Sequence, residues 1–433
     1  MRAILTPLFI FATLLSWGQD FEHPAIAIDP AALQEAHAIW QEQQQVPHDI
    51  EGTEMVPASL STLQSRGDRS NITSVARGIW SEANTWDCNC VPTAGDNVFV
   101  AHEVSMIGDV EFHSLLIQPA GTLLDPVGVT MTFSGNFGAF GASELNSTTL
   151  VANDILGNQV LDGNMTLGSL SVQNTTLNIE GSVTVKGNLD VDDSTVNIDA
   201  LGELILTENE QGRATVMRSP DAQVLGLVTR QIILPAIANR ATPFVQHRIT
   251  LGLEGVAVSE LVGDFPTIGF AGADVEAGNA NIAYWSADAW YNYQQVGSAD
   301  DILPVWEGLY LSLQPDETYT LTFSGTMPAR EVSMEVAAGS FTGLFGNTTH
   351  GNYDLEQFDA QLGQDRVALR CWNTNTLQWD IYVDGLSTNG MGTTLQPSVA
   401  CEYTPTDAAQ GQAFSLNSSD ATPNGTFATS SVT

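Results

Sequence analysis

Lysine is all but missing from this chain of 433 residues. Lys186 is the only one, and lysine and arginine together number 13 against 50 aspartates and glutamates, a formal net charge of −37. A field of that sign repels phosphate backbones and anionic headgroups, which excludes nucleic acid and anionic membrane surfaces as partners. It also leaves few basic groups for a lyase acting on uronates, with Arg230 or Arg248 as the stand-ins. Long apolar runs are lacking. Ile4–Leu15 is too short to cross a bilayer and no later segment is long enough, so no transmembrane segment is expected. Catalytic patterns are lacking as well: there is no Gly-x-Ser-x-Gly elbow, phosphate loop or His-Glu-x-x-His. The seven histidines are scattered, with no second histidine at ligand spacing. Paired carboxylates hydrolyse glycosides in some proteins, but among 50 acids chance pairs carry no specificity.

Cysteine is scarce, and its four positions are Cys88, Cys90, Cys371 and Cys401. Zinc is disfavoured, because the close pair is Cys-x-Cys and has no neighbouring histidine. The N-terminus reads as an export signal over residues 1–19. Arg2 precedes the apolar run, and Ser16-Trp17-Gly18-Gln19 offers a cleavage site after Gly18 or Gln19. Export to the cell surface or medium then makes all four cysteines disulfide candidates. Of the three possible pairings, Cys371 with Cys401 is favoured, leaving Cys88 for Cys90 or for a partner chain.

What is present is strand chemistry. Thirty-eight glycines and abundant Thr, Val, Asn and Asp favour strands and turns. Gly168–Gly181 and Gly187–Ala200 are the same unit written twice, nineteen residues apart. In each, apolar residues alternate with polar ones, as in Leu170, Val172 and then Leu177, Ile179. Asn174-Thr175-Thr176 and Asp193-Ser194-Thr195 separate the two bursts and suit a corner. A unit this short cannot shelter its own apolar face, so it must stack on copies of itself as a β-solenoid. Leu170 and Leu189 are then expected one rung apart on a common inner wall. The expected organisation is a helix over Pro30–Gln45 and a linker within 20–75, the solenoid over 76–221, and β-rich modules over 222–335 and 336–433. Arg66-Gly67-Asp68 reads as a chance tripeptide in the linker.

The opening of the β-rich part resembles a known family. Gly78-Ile-Trp-Ser, Thr85-Trp86 and Val91-Pro-Thr-Ala-Gly-Asp-Asn-Val98, followed by Gly121-Thr-Leu-Leu124, is similar to the opening of large surface proteins of Bacteroidetes-type bacteria and of the eight-glycine extracellular β-domain. The resemblance implies a right-handed parallel β-helix. Val228-Thr-Arg230, Phe265–Gly272, Ile282–Tyr293, Trp306–Tyr310 and Leu321–Met327 resemble the β-sandwich module that follows such solenoids. The expected fold class is therefore all-β, a right-handed parallel β-helix followed by β-sandwich modules. Family members also end in a type IX secretion sorting domain, and no stretch before Thr433 is recognised as one.

Three clusters are candidates for binding. Trp80 and Trp86 read as a sugar-stacking platform or as a cap over the open end of the solenoid. Asp190, Asp192 and Asp193 read as a calcium site or as a solvated acidic face, and calcium is the one cofactor considered. Trp285, Trp290, Tyr291 and Tyr293 read as a carbohydrate-binding surface or as sandwich core with an exposed edge. The functional expectation is a secreted or cell-surface structural and adhesion protein without catalysis. The alternative is an extracellular carbohydrate-binding or polysaccharide-degrading β-helix protein, with extracellular glycans or cell-surface components as partners.

Overall fold

In the computed structural model, residues 70–154, 157–209, 212–237, 244–285, 293–305 and 308–328 are described, together with shorter stretches between 331 and 422. The signal, helix and most of the linker expected before residue 70 lie outside them. Strands from Asn71 to Arg230 stack in parallel on three faces and complete about six turns. The first face runs from Asn71–Thr73 through Asn97–Val100, Ser114–Ile117 and Phe137–Ala139 to Thr176–Ile179, Thr195–Ile198 and Gln223–Leu225. The second includes Glu103–Ser105, Thr122–Leu124, Ser182–Val185 and Glu203–Leu206. Val110–Phe112, Thr130–Phe133, Asn188–Asp192 and Thr215–Arg218 belong to the third. The long strands Ala142–Asn153 and Asn158–Gln173 turn corners without interruption and contribute to more than one face.

The register answers the repeat directly: Leu170 pairs with Leu189 and Val172 with Val191. Leu177 likewise pairs with Val196, and Ile179 with Ile198. Leu170, Leu189 and Val216 are buried in a column, as are Val183 and Leu204 on the second face. Parallel sheets ordinarily hide both faces. Here only the inner one is hidden, which is why the strands alternate instead of reading as continuous apolar runs. Glycines recur where the first face bends into the second. A β-carbon on Gly163 would strike the backbone of Ala139, and one on Gly181 would strike that of Gly163. The rungs approach there too closely for any side chain.

Both ends of the stack are closed. Trp80 and Trp86 are buried, edge to face at 5.1 Å, and Trp86 Nε1 donates to the Trp80 carbonyl at 2.8 Å. Trp80 continues into the Phe112, Phe133 and Phe137 cluster. Both rings are thus hidden from any sugar, and the capping role is the one the fold uses. At the other end Val228–Leu234 leaves the parallel stack and pairs antiparallel with Tyr319–Gly325 over seven residues. One hydrophobic core therefore runs from Ile72 to Met327. Gln223–Leu225 and Val228–Leu234 continue the stack although the sequence repeat has faded by Ala222. An insertion between Leu206 and Thr215, carrying the short antiparallel pair Glu208–Asn209 with Gly212–Arg213, masks the period there.

The remaining sheets are antiparallel. One holds Val245–Ile249, Leu309–Leu313, Ile282–Trp285 and Tyr293–Gln295, in the order in which they pair. Another joins Gly343–Gly346, Ala400–Pro405, Val367–Asn373, Gln378–Val383 and Leu386–Ser387. The described residues are nearly all β, as expected. Disulfides join Cys88 to Cys90 and Cys371 to Cys401, the favoured pairing.

Candidate functional site

An open groove follows a corner of the solenoid. Between the third and first faces, Asp154, Asn158, Asn174, Thr175, Asp193, Ser194 and Asp221 line an open trough of about 560 Å³. Asn174 and Asp193 occupy equivalent positions in the two clear copies of the repeat, with φ of 53° and 46°. Asn and Asp are the non-glycine residues that best tolerate that left-handed turn. The small hydroxyls serve the turn itself. Thr175 Oγ1 donates to the Gly157 carbonyl at 2.9 Å, Ser194 Oγ to the Asp192 carbonyl at 2.6 Å, and the Thr175 N–H to Ser194 Oγ at 3.1 Å. Such a surface offers acceptors and hydroxyls to an uncharged, hydroxyl-rich ligand and repels anions.

The three aspartates proposed for calcium do not converge. Asp190 stands on the outer face of its strand, between Ser171 and Met217 of the adjacent rungs. Burial and the Asp192 charge raise its carboxyl pKa, while a hydrogen bond from Ser171 opposes them. Asp193 turns away at the corner and exchanges hydrogen bonds with Ser219, at 2.7 Å to its N–H and 3.2 Å to its carboxylate. Among the described residues no group of three Asp, Glu, His or Cys is placed to hold a metal ion. Of the aromatic cluster, Trp285 and Tyr293 are backbone partners on neighbouring strands. Trp290 and Tyr291 lie outside the described residues.

Compared with family models, curated proteins and solved structures, the chain matches none.

Two buried charge clusters escaped the sequence reading. In the first, Arg230 and His247 are buried beside the Glu208–Arg213 ion pair of 3.1 Å, where the last rungs meet the following sheet. Burial, reinforced by Arg213, depresses the Arg230 guanidinium pKa to about 9 and the His247 imidazole to about 4. His247 is therefore neutral at physiological pH. In the second, Glu402 is fully buried and meets Arg370 at 2.6 Å and Arg248 at 3.3 Å. Arg248 also lies over the ring of Tyr310, 5.4 Å from its centroid. Arg248 comes from the Val245–Ile249 sheet, and Glu402 from the strand that carries Cys401. With so few basic residues in the chain, an arginine inside a strand pattern was the available signal for both clusters. The same burial removes Arg230 and Arg248 from the surface, where a uronate would need them.

Asp264 is a carboxyl displaced far from its ordinary range. Burial, with the Glu260 charge adding to it, lifts its pKa from 3.8 to about 7 against a hydrogen bond from the Thr322 N–H. The folded state therefore holds this proton between about pH 4 and 7 where the unfolded chain has lost it, so its contribution to stability falls as pH rises through that window. His247 acts in the opposite sense, since its folded pKa lies below its unfolded value. Its contribution is lost as pH falls from about 6.5 towards 4. Asp264→Asn is expected to raise stability at pH ~8 by about 1–2 kcal/mol, a figure discounted for partial solvent access, and to leave it unchanged near pH 4. Urea midpoints at the two pH values measure this, and a gain independent of pH would contradict the assignment.

Proposed function

We propose that the chain is a secreted or cell-surface structural and adhesion protein whose solenoid is a stalk and not a catalytic scaffold. The observation that carries the reading is the parallel stack of about six turns, with an apolar inner wall and both ends covered. Its stability is distributed over rung-to-rung contacts, as suits a load-carrying spacer. The N-terminal signal and the opening motif of Bacteroidetes-type surface proteins support placement outside the cell. Determining the first residue of the exported protein tests that placement, with Gln19 or Asp20 expected.

The corner trough favours a second reading, in which the exterior binds neutral glycans. A glycan array on the purified mature chain, with a hydrolysis assay on acidic polysaccharides, separates the two. The stalk reading expects a blank array and no product. Retained glycan that is lost with Asn174→Ala and Asp193→Ala would establish the trough as the site. Loss with Trp285→Ala and Trp290→Ala instead would establish the aromatic strands.

A further inference from the structure

We propose that the Cys88–Cys90 disulfide is an exchange-active site that takes a thiol, through which the capped end of the solenoid can be joined covalently to a cysteine outside the chain. The inference goes beyond the stalk reading and does not depend on whether glycans bind.

Four observations carry it. The chain's two disulfides differ in access: Cys88 and Cys90 are both exposed, whereas Cys371 is 5% and Cys401 0% exposed. They also differ in span. Cys88–Cys90 closes over a separation of two residues, against thirty for the other, so it restrains little of the unfolded chain. The tip is held at both sides without the bond. Trp86 is anchored in the core, and the Thr93 N–H and hydroxyl bind Asp96 at 2.8 and 2.7 Å. Finally, the Cys90 N–H donates to Cys88 Sγ at 3.2 Å. A hydrogen bond to that sulfur stabilises it as a thiolate and makes it the better leaving group.

The step follows. An incoming thiolate attacks Cys90 Sγ, its electron pair forming the new S–S bond as the Cys88–Cys90 bond breaks. Cys88 Sγ departs with the bonding pair, retaining the Cys90 N–H, and then takes a proton from water. The sum is one disulfide and one thiol before and after, so no external oxidant is required. Attack by the Cys88 thiolate on the mixed disulfide reverses it. Asp87 adjoins the site with its carboxylate against the Thr73 N–H, and the whole chain is strongly acidic. A thiol flanked by positive charge is therefore preferred over an anionic one.

The test uses the intact folded protein at about pH 8, where a free thiol is substantially thiolate. Excess reduced glutathione or an arginine-flanked cysteine peptide is added, with acid quenching, alkylation and peptide mapping by mass spectrometry. The expected product carries the adduct on Cys90 and the alkyl group on Cys88, with Cys371–Cys401 intact. The basic peptide is expected to react roughly tenfold faster than glutathione, a gap that narrows in high salt. The double variant Cys88→Ser, Cys90→Ser is expected to keep the wild-type circular dichroism and to lose the adduct. No adduct, an adduct on Cys88, equal reaction at the buried pair, or a basic peptide no faster than glutathione would overturn the proposal.

Discussion

Leu189→Asp is expected to destroy cooperative folding of the solenoid, whereas Asp190→Ala one residue away is expected to shift stability by no more than about 0.5 kcal/mol. Leu189 is fully buried between Leu170 and Val216 of the neighbouring rungs. Removing its side chain to alanine alone costs about 2–5 kcal/mol through lost transfer energy and the cavity left behind. A carboxyl in the same place must stay protonated at pH 7, about three pH units above its ordinary pKa, which adds about 4 kcal/mol. The total rivals the whole stability of a typical domain. Asp190 points outward and its charge is already disfavoured by burial and by Asp192, so its loss is neutral or mildly favourable. Denaturant unfolding with hydrogen exchange measures both. Because rungs contact only their neighbours, protection in Leu189→Asp should fall first at Leu170 and Val216. An equal effect of the two substitutions would refute the inner-wall assignment.

The second large effect belongs to Glu402. Glu402→Gln leaves the Arg248 and Arg370 guanidiniums facing each other inside the protein, which is expected to cost about 3–5 kcal/mol. The loss should appear as a separate early unfolding transition of the C-terminal sheet, since Glu402 is the residue through which that sheet grips Arg248 of the preceding one. The neighbouring Cys371–Cys401 bond keeps the two strands of the C-terminal sheet together but does not reach Arg248. Replacing all three by apolar residues, as Arg248→Met, Arg370→Met and Glu402→Leu, is expected to recover most of the stability, because the desolvation of the charges disappears with their attraction. Urea titrations of the single and triple variants decide this. An unchanged midpoint in Glu402→Gln would show that the triad does not join the sheets.

These two sites also mark how far the sequence could be read. The pairing of Leu170 with Leu189 was legible because side-chain alternation and a nineteen-residue repeat are local properties that survive translation from rung to rung. The corner at Asn174 and Asp193 was legible for the same reason, since turn chemistry is written in adjacent residues. The calcium reading of Asp190, Asp192 and Asp193 had no such support. Asp190 and Asp192 share the outer face of their strand, but Asp193 turns at the corner to Ser219, so closeness in sequence did not gather three ligands.

By itself, the sequence determined the β-solenoid, the inner-wall residues and the acidic character of the chain, because each follows from periodicity or composition, whereas the partner of Cys88 stayed open until the structure joined it to Cys90. Only the tertiary structure decided that Trp80 and Trp86 close the stack, and that Val228–Leu234 ends it against a strand some ninety residues later. Only it brought Glu402 to Arg248. Those contacts join segments remote along the chain, and what selects them is the cost of leaving a sheet edge, an indole N–H or a charge buried without a partner. That cost exists only once the chain has folded around them.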